Sequence, residues 1–358
     1  MWKSLKDRAE GVKEMKRMKT TEAVGQVLCH DITQIIPGVT KDAVFRKGHI
    51  IREEDIPVLL SVGKDSVYIW ENDETMMHEN DAAEVLYRMT ANEHMHPSDV
   101  KEGKIEAIAD TEGLLKVDRE KLKKVNAFGE MMIATRHGNT VVKKGDKLAG
   151  TRIIPLVIKK DKMQEAEKIC DGTPILKILP FTVKKAAIIT TGNEVYHGRI
   201  KDAFTPVIEQ KIAEFGAEMM FHEIFDDNDR KITDGCLAAI EAGADLVICT
   251  GGMSVDPDDK TPLAIKNTGA EMISYGSPVL PGAMFLLSYY RKGDKVIPIC
   301  GLPGCAMYNR RTIFDLVLPR LMAADPVTAE ELASLGEGGL CLNCNVCTFP
   351  NCGFGKGW

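Results

Sequence analysis

Apolar positions along the chain fall into two rhythms, and the clearer one occupies residues 181–322. There, short unbroken apolar runs end at glycine or polar residues and give way to stretches with apolar residues every three or four positions. Ala186-Ala-Ile-Ile-Thr190 reads as a buried strand ending at Thr191-Gly-Asn-Glu194. Thr205 is a candidate N-cap with Pro206 at the first helical position. Val207, Ile208, Ile212 and Phe215 then share a face, and Gly216 closes the helix. Met219 to Phe225 is the next strand. Asp229 to Ala242 is a helix that turns Ile232, Cys236, Ala239 and Ile240 inward, and Asp245 to Thr250 is the third strand. Another helix, a short strand near Met272-Ile273 and a strand over Val296–Cys300 follow, and Gly301-Leu-Pro-Gly304 leads into a helix through Met322. Strands alternating with helices predict a mostly parallel sheet joined by right-handed crossovers.

Upstream the pattern is less regular. Residues 1–19, rich in Lys and Arg, space Trp2, Leu5, Val12 and Met15 as an amphipathic helix would. Residues 20–75 hold short β-like runs, a helix over Glu53–Ser61 and a strand over Val67–Trp70. Residues 76–180 mix a helix over Asp81–Thr90 with β-like segments at Met131–Thr135, Thr140–Val142 and Ile153–Ile158. The fold class expected is therefore α/β. A three-layer, mostly parallel domain over 181–325 follows a mixed α+β region, and residues 326–358 form a linker and a cysteine-rich tail.

Composition narrows the partners. Of 358 residues, 44% are apolar and 27% charged, as in ordinary globular proteins, and the net charge of -6 argues against nucleic acid or an anionic membrane. No apolar run approaches the ~18 residues that span a bilayer. The first residues lack the apolar core of a signal peptide, so the chain reads as cytoplasmic. Six of the ten cysteines are scattered, mostly within apolar runs, and four crowd into the last eighteen residues.

Candidate chemistry gathers at the ends of the predicted strands. Thr191-Gly-Asn-Glu194, Thr250-Gly-Gly-Met-Ser254 and Gly301-Leu-Pro-Gly304 each follow a buried run. In an open α/β sheet, ligands bind beyond the carboxyl ends of the strands, and glycine there lets backbone approach a ligand closely. Asp256, Asp258 and Asp259, in the loop after Thr250-Gly-Gly, are carboxylates suited to a hard cation such as Mg2+, and Glu194 and Asp227 lie near the same strand ends. Asp227 reads either as an acid serving these strand ends or as the opening of a helix in Phe225-Asp-Asp-Asn-Asp229. His78, His94 and His96 have no third ligand at a useful spacing and read as ordinary histidines.

Taken together, these loops resemble those of the molybdopterin-binding domain of the MoeA/MogA family. Thr191-Gly-Asn-Glu194 is similar to the family's T-G-D-E, and Gly198-Arg-Ile-Lys-Asp202 to its G-x-I-x-D. Thr250-Gly-Gly-Met-Ser254 with Asp259-Lys-Thr-Pro262 resembles T-G-G-x-S/G followed by D-x-T-P. Pro281-Gly282 and Leu302-Pro-Gly304 resemble P-G-K-P and L-P-G-N-P. Ala23–Asp31 and Phe45–Ile51 are similar to the N-terminal part of MoeA proteins.

This resemblance implies that Thr191, Gly192, Asn193, Asp202, Thr250, Gly251, Gly252, Ser254, Pro281, Gly282, Leu302, Pro303 and Gly304 contact molybdopterin. It implies that Glu194, Asp227 and Asp259 serve Mg-dependent chemistry on the pterin phosphate, either adenylation or cleavage of the adenylate as molybdate is loaded, and that Asp256 and Asp258 are solvated neighbours. It also implies a homo-oligomer. Asn193 stands in place of the family's Asp, Phe204 in place of an Asn, and Cys305-Ala306 in place of Asn-Pro, departures that binding tolerates better than turnover. Two readings stay open: an assembly enzyme of the molybdenum cofactor, and a carrier or sensor serving a client molybdenum enzyme.

The tail, Cys341-x2-Cys344-x2-Cys347-x4-Cys352, adds a second signal. Four thiolates so spaced suit a [4Fe–4S] cluster or a Zn2+ ion.

Overall fold

The computed structural model describes residues 16–36, 40–69 and 73–357. The alternating region forms one six-stranded sheet. In chain order its strands are β1 (Lys185–Thr191), β2 (Glu218–Phe225), β3 (Leu246–Thr250), β4 (Glu271–Tyr275), β5 (Leu286–Lys292) and β6 (Lys295–Leu302), lying side by side as β2-β1-β3-β6-β5-β4. The helices α1 (Phe204–Ala213), α2 (Asp229–Glu241), α3 (Thr261–Asn267) and α4 (Ile313–Met322) connect or cover them.

Strand alternation explains why helices lie on both faces. Ala186 and Ile188 of β1 enter a core with Ile208 and Ile212 of α1 and Phe314 and Leu321 of α4. Ala187 and Ile189, one residue out of phase, enter a second core with Ile232, Cys236 and Ile240 of α2 and Ile265 of α3. All of these side chains are buried, and each large one contributes about 1.5–3 kcal/mol.

The sheet is mixed. β1 runs parallel to β2 and β3, and β3 parallel to β6. β5 pairs antiparallel with both β6 and β4. The expectation of a mostly parallel sheet therefore needs correcting at this edge. Lys292 pairs with Lys295, so only Gly293-Asp294 joins β5 to β6, a turn too short for a crossover. Strand β5 itself escaped the sequence reading.

Other boundaries also shift. Helix α1 starts at Phe204, because Asp202 rather than Thr205 supplies its cap: its carboxylate accepts from the N–H groups of Phe204 (2.8 Å) and Thr205 (3.1 Å). The helix expected from Gly304 onward is a single 3-10 turn, Gly304–Ala306, and α4 begins only at Ile313. There Thr312 and Asp315 form a reciprocal capping box. The run Ile153–Ile158 divides into strands Lys147–Ile153 and Val157–Lys159, with Pro155 between them.

The upstream regions build their own cores. One surrounds Leu28, Ile32, Ile51, Leu59 and Val67, and another surrounds Leu86, Leu115, Ile133, Leu148 and Ile178. Of the helix expected over residues 1–19, residues 1–15 lie outside the described residues. Arg17–Lys19 is instead a strand paired with Ser66–Tyr68, and Met18 packs against the first of these cores. Residues 326–357 are packed rather than free. They include helix α5 (Ala329–Ser334), and Val327, Leu332 and Phe354 are buried in the core shared by α1 and α4. Among the described residues, no helix is long and apolar enough to cross a membrane.

Candidate functional site

Register places three loops at one edge. Thr190 of β1 lies opposite Thr250 of β3, which lies opposite Leu302 of β6. The chain thus leaves three adjacent strands at the same level, and Thr191-Gly192, Gly251-Gly252 and Pro303-Gly304 emerge side by side.

The first two loops touch. Thr191 is buried; its hydroxyl donates to the Thr250 carbonyl (3.2 Å) and shares a hydrogen bond with the Thr261 hydroxyl (2.9 Å). Gly251 has φ +86°, and a Cβ there would stand 2.1 Å from the Thr191 carbonyl oxygen. At Gly252 (φ +54°) a Cβ would stand 2.9 Å from the Thr261 hydroxyl. Both glycines are therefore demanded by the fold itself. Gly304 differs: its backbone is unstrained, and a Cβ would meet nothing within 4 Å.

Carboxylates surround this contact. Asp227 accepts from the Asn193 N–H (3.0 Å), which ties the end of β2 to the loop after β1. Asp259 accepts from the Ser254 N–H (2.7 Å). Burial pushes the Asp227 carboxyl above its ordinary range; the Asn193 N–H opposes this, while the negative charges of Glu194, Asp259 and Asp258 add to it. The sequence left Asp227 open between two roles. The cap of α2 is Asn228, whose side chain accepts from the Lys231 N–H, so Asp227 is free of that duty. Asp259 is half-buried, while Asp256 and Asp258 are exposed. Among the described residues, no three His, Cys, Asp or Glu side chains are gathered closely enough to hold a metal ion.

Other expected site residues sit elsewhere. Asp202 spends both carboxylate oxygens inside the protein, on the α1 cap and on the hydroxyls of Thr190 (3.0 Å) and Thr205 (2.5 Å). Burial works against its ionised form, but these hydrogen bonds prevail and hold the carboxyl below its ordinary range. Thr250 and Leu302 are completely buried, which leaves only their backbones to face the edge. Pro281, Gly282 and Pro303 line an open cavity of about 500 Å3, together with Cys305, Tyr308 and Cys341. Tyr275 was missed by the sequence reading. Its hydroxyl donates to the Met253 carbonyl (2.9 Å), and burial, then the nearby Asp259, raises its phenol. It reaches this corner from β4, so nothing in its local sequence marks it.

The four tail cysteines line one cavity of about 590 Å3. No disulfide joins them.

Residues 187–323 match the family described as "Probable molybdopterin binding domain", and residues 17–71 match a domain of unknown function (DUF8806). The "Putative competence-damage inducible protein" of Bacillus cereus (strain B4264) is 31% identical over 129 residues, 36% of this chain and 30% of its own length. Its counterpart in Bacillus thuringiensis (strain Al Hakam) is 30% identical over 95 residues, 26% of this chain and 23% of its own length. The chain thus spans less than a third of these relatives. Among solved structures, the tungsten cofactor synthesizing protein MoaB from Pyrococcus furiosus is 20% identical with a TM-score of 0.32, over 39% of this chain and 89% of that one. A molybdenum cofactor biosynthesis protein from the same organism is 12% identical with a TM-score of 0.24, over 88% of this chain and 66% of that one.

Proposed function

We propose that the chain, whose residues 187–323 match the family described as "Probable molybdopterin binding domain", binds molybdopterin or its adenylate at the β1, β3 and β6 edge. We propose further that it assists Mg-dependent insertion of molybdate. One observation carries this reading: three glycine-bearing loops leave adjacent strands at one level beside Asp227, whose carboxyl is raised by burial and by Glu194 and Asp259. Carboxylates that repel one another are stabilised by a cation between them, and oxygen donors suit Mg2+.

In this reading Asp227, Asp259 and Glu194 would supply oxygen donors to Mg2+, and the ion would serve to neutralise charge on the pterin phosphate. The chain's own residues position the reaction. The Asn193 and Ser254 N–H groups fix Asp227 and Asp259. Asp202 fixes the start of α1 behind the first loop. Gly304 leaves room for ligand beside Pro303. The four tail cysteines would separately supply thiolate ligands to a metal centre, [4Fe–4S] or Zn2+.

The second reading is a carrier that binds without turnover and delivers cofactor to a client molybdenum enzyme. It is favoured by Asn193, whose backbone holds Asp227 while its side chain adds no carboxylate. Mixing the full chain with adenylated molybdopterin, molybdate and Mg2+ separates the two. AMP release that drops at least a hundredfold in Asp259→Asn supports the enzyme. Tight pterin binding with no AMP release assigns the carrier, and ATP binding without pterin binding overturns both.

A further inference from the structure

A cleft of about 1200 Å3 lies between residues 112–146 and the surface built by α1, α4, α5 and the tail. It is roomy for a small-molecule site, and none of the three strand-end loops lines it. Two contacts bridge its walls. Lys116 pairs with Asp325 (2.7 Å), and the Arg119 guanidinium donates to the Gly357 carbonyl (3.3 Å).

Charge in the cleft is unevenly spent. Lys116, Arg136, Lys211, Arg311 and Arg320 line it, and each already holds a carboxylate. Arg119, Lys143 and Lys356 line it too and form no ion pair among the described residues. Glu112, Glu120, Glu214 and Glu330 are also in the lining but pair with none of these three. We propose that Arg119 and Lys356 seat the phosphate of a ring-bearing small molecule, of nucleotide size, in this cleft.

Both cations are placed by the chain in ways that do not serve the fold. Arg119 is the first residue of the helix Arg119–Ala127, where Asp118 caps by accepting from the Lys121 N–H (3.0 Å). A cation in the first turn opposes the helix dipole, whereas an anion bound there is favoured by the dipole and by the guanidinium together. Lys356 stands between two glycines that packing demands. At Gly355 (φ +73°) a Cβ would stand 2.3 Å from the Leu316 side chain, and at Gly357 2.0 Å from the Glu337 carbonyl oxygen. The backbone on either side of Lys356 is thus fixed, which lowers the ordering cost of binding. Burial holds its ammonium below the ordinary range; Cys352 opposes this and the Arg119 charge adds to it. A bound anion relieves both burdens.

The remaining lining selects the rest of the ligand. A guanidinium fork and an ammonium together match a phosphate monoester, which carries nearly two charges. Val117, Val141, Phe215, Leu316 and Phe349 add apolar surface, and the Arg311 guanidinium lies over the Phe349 ring, 4.8 Å from its centroid. A planar ring packs well on such a wall.

The test is protection of Lys356 from an amine-acylating reagent, read by mass spectrometry of the full chain with AMP, inorganic phosphate or adenosine. AMP should slow acylation of Lys356 several-fold, inorganic phosphate should need a higher concentration, and adenosine should have no effect. Lys123, exposed on the same helix but outside the cleft, should react equally throughout. Arg119→Gln should raise the AMP concentration needed several-fold, with thermal melting run beside it to check the fold. The readout is local to Lys356, so any binding of AMP at the sheet edge leaves it unmoved. Lys356 acylated at one rate with and without AMP and phosphate, or slowed as much by adenosine as by AMP, overturns the proposal.

Discussion

Gly251 and Gly304 carry the same residue type for different reasons. At Gly251 a side chain collides with the Thr191 carbonyl and the backbone sits at positive φ. Gly251→Ala should therefore destabilise the protein by more than about 1 kcal/mol, read as a lowered urea midpoint with unchanged slope. Gly304→Ala meets no atom. It should melt with the parent yet bind molybdopterin several-fold more weakly in fluorescence titration; unchanged affinity would remove Gly304 from the site. Asp227 adds a pH dependence. Its carboxyl is raised on folding by burial and neighbouring acids. The protonated form is thus favoured in the folded state, and this contribution to stability is present below the ordinary carboxyl range and lost as pH rises through the raised value. Asp227→Asn should accordingly gain relative stability at pH 8 and lose that gain at pH 4, measured by urea melts at both values. Mg2+ affinity, which needs the ionised form, should begin to fall on acidification earlier than at an ordinary aspartate.

At the scale of the element, α4 shows how one side chain secures a helix and its neighbour. Asp315 accepts from the Thr312 N–H (2.8 Å), completing the capping box, and pairs with Arg311 (2.9 Å) and with the ammonium of Lys211 from α1. Lys211 and Asp315 are both largely buried. Asp315→Ala removes a cap and strands a buried ammonium, so a loss of about 3–5 kcal/mol is expected. Lys211→Met, which removes the ammonium but keeps apolar bulk, should cost less. Equal losses in chemical denaturation would show that the pair acts only through packing. The capping box was present in the sequence as Thr312-x-x-Asp315, but Gly304 seemed the earlier opening. The Gly293-Asp294 turn was equally visible, yet the strand before it reads as a plain apolar run that gives no direction.

At the scale of the whole molecule, the tail is part of the domain it follows. Val327, Leu332 and Phe354 complete a core begun by β1, α1 and α4. Arg320 joins them, buried and paired with Asp325 (2.5 Å) and Glu331 (2.8 Å). Lys116 from the middle region reaches the same Asp325 (2.7 Å). Lys116 and Asp325 lie 209 residues apart, and an ion pair of this kind leaves no periodic trace in the sequence. Composition pointed to a linker because Gly336, Gly338 and Gly339 are frequent in linkers. Here Gly338 and Gly339 allow backbone segments to approach one another: a Cβ would stand 2.9 Å from the Gly353 carbonyl oxygen at the first and 2.5 Å from the Leu335 carbonyl oxygen at the second.

The sequence by itself determined the strands β1, β2, β3 and β6, the helices between them and the loops at their ends, because apolar periodicity and glycine act locally. Tertiary structure decided the rest. Register across β1, β3 and β6 brought three loops to one level. Burial and neighbouring charge raised Asp227, and the cap of α1 consumed Asp202. Close approach required Gly251 and left Gly304 free. Tyr275 reaches the site through contacts between segments distant in the chain, and no local pattern encodes such contacts.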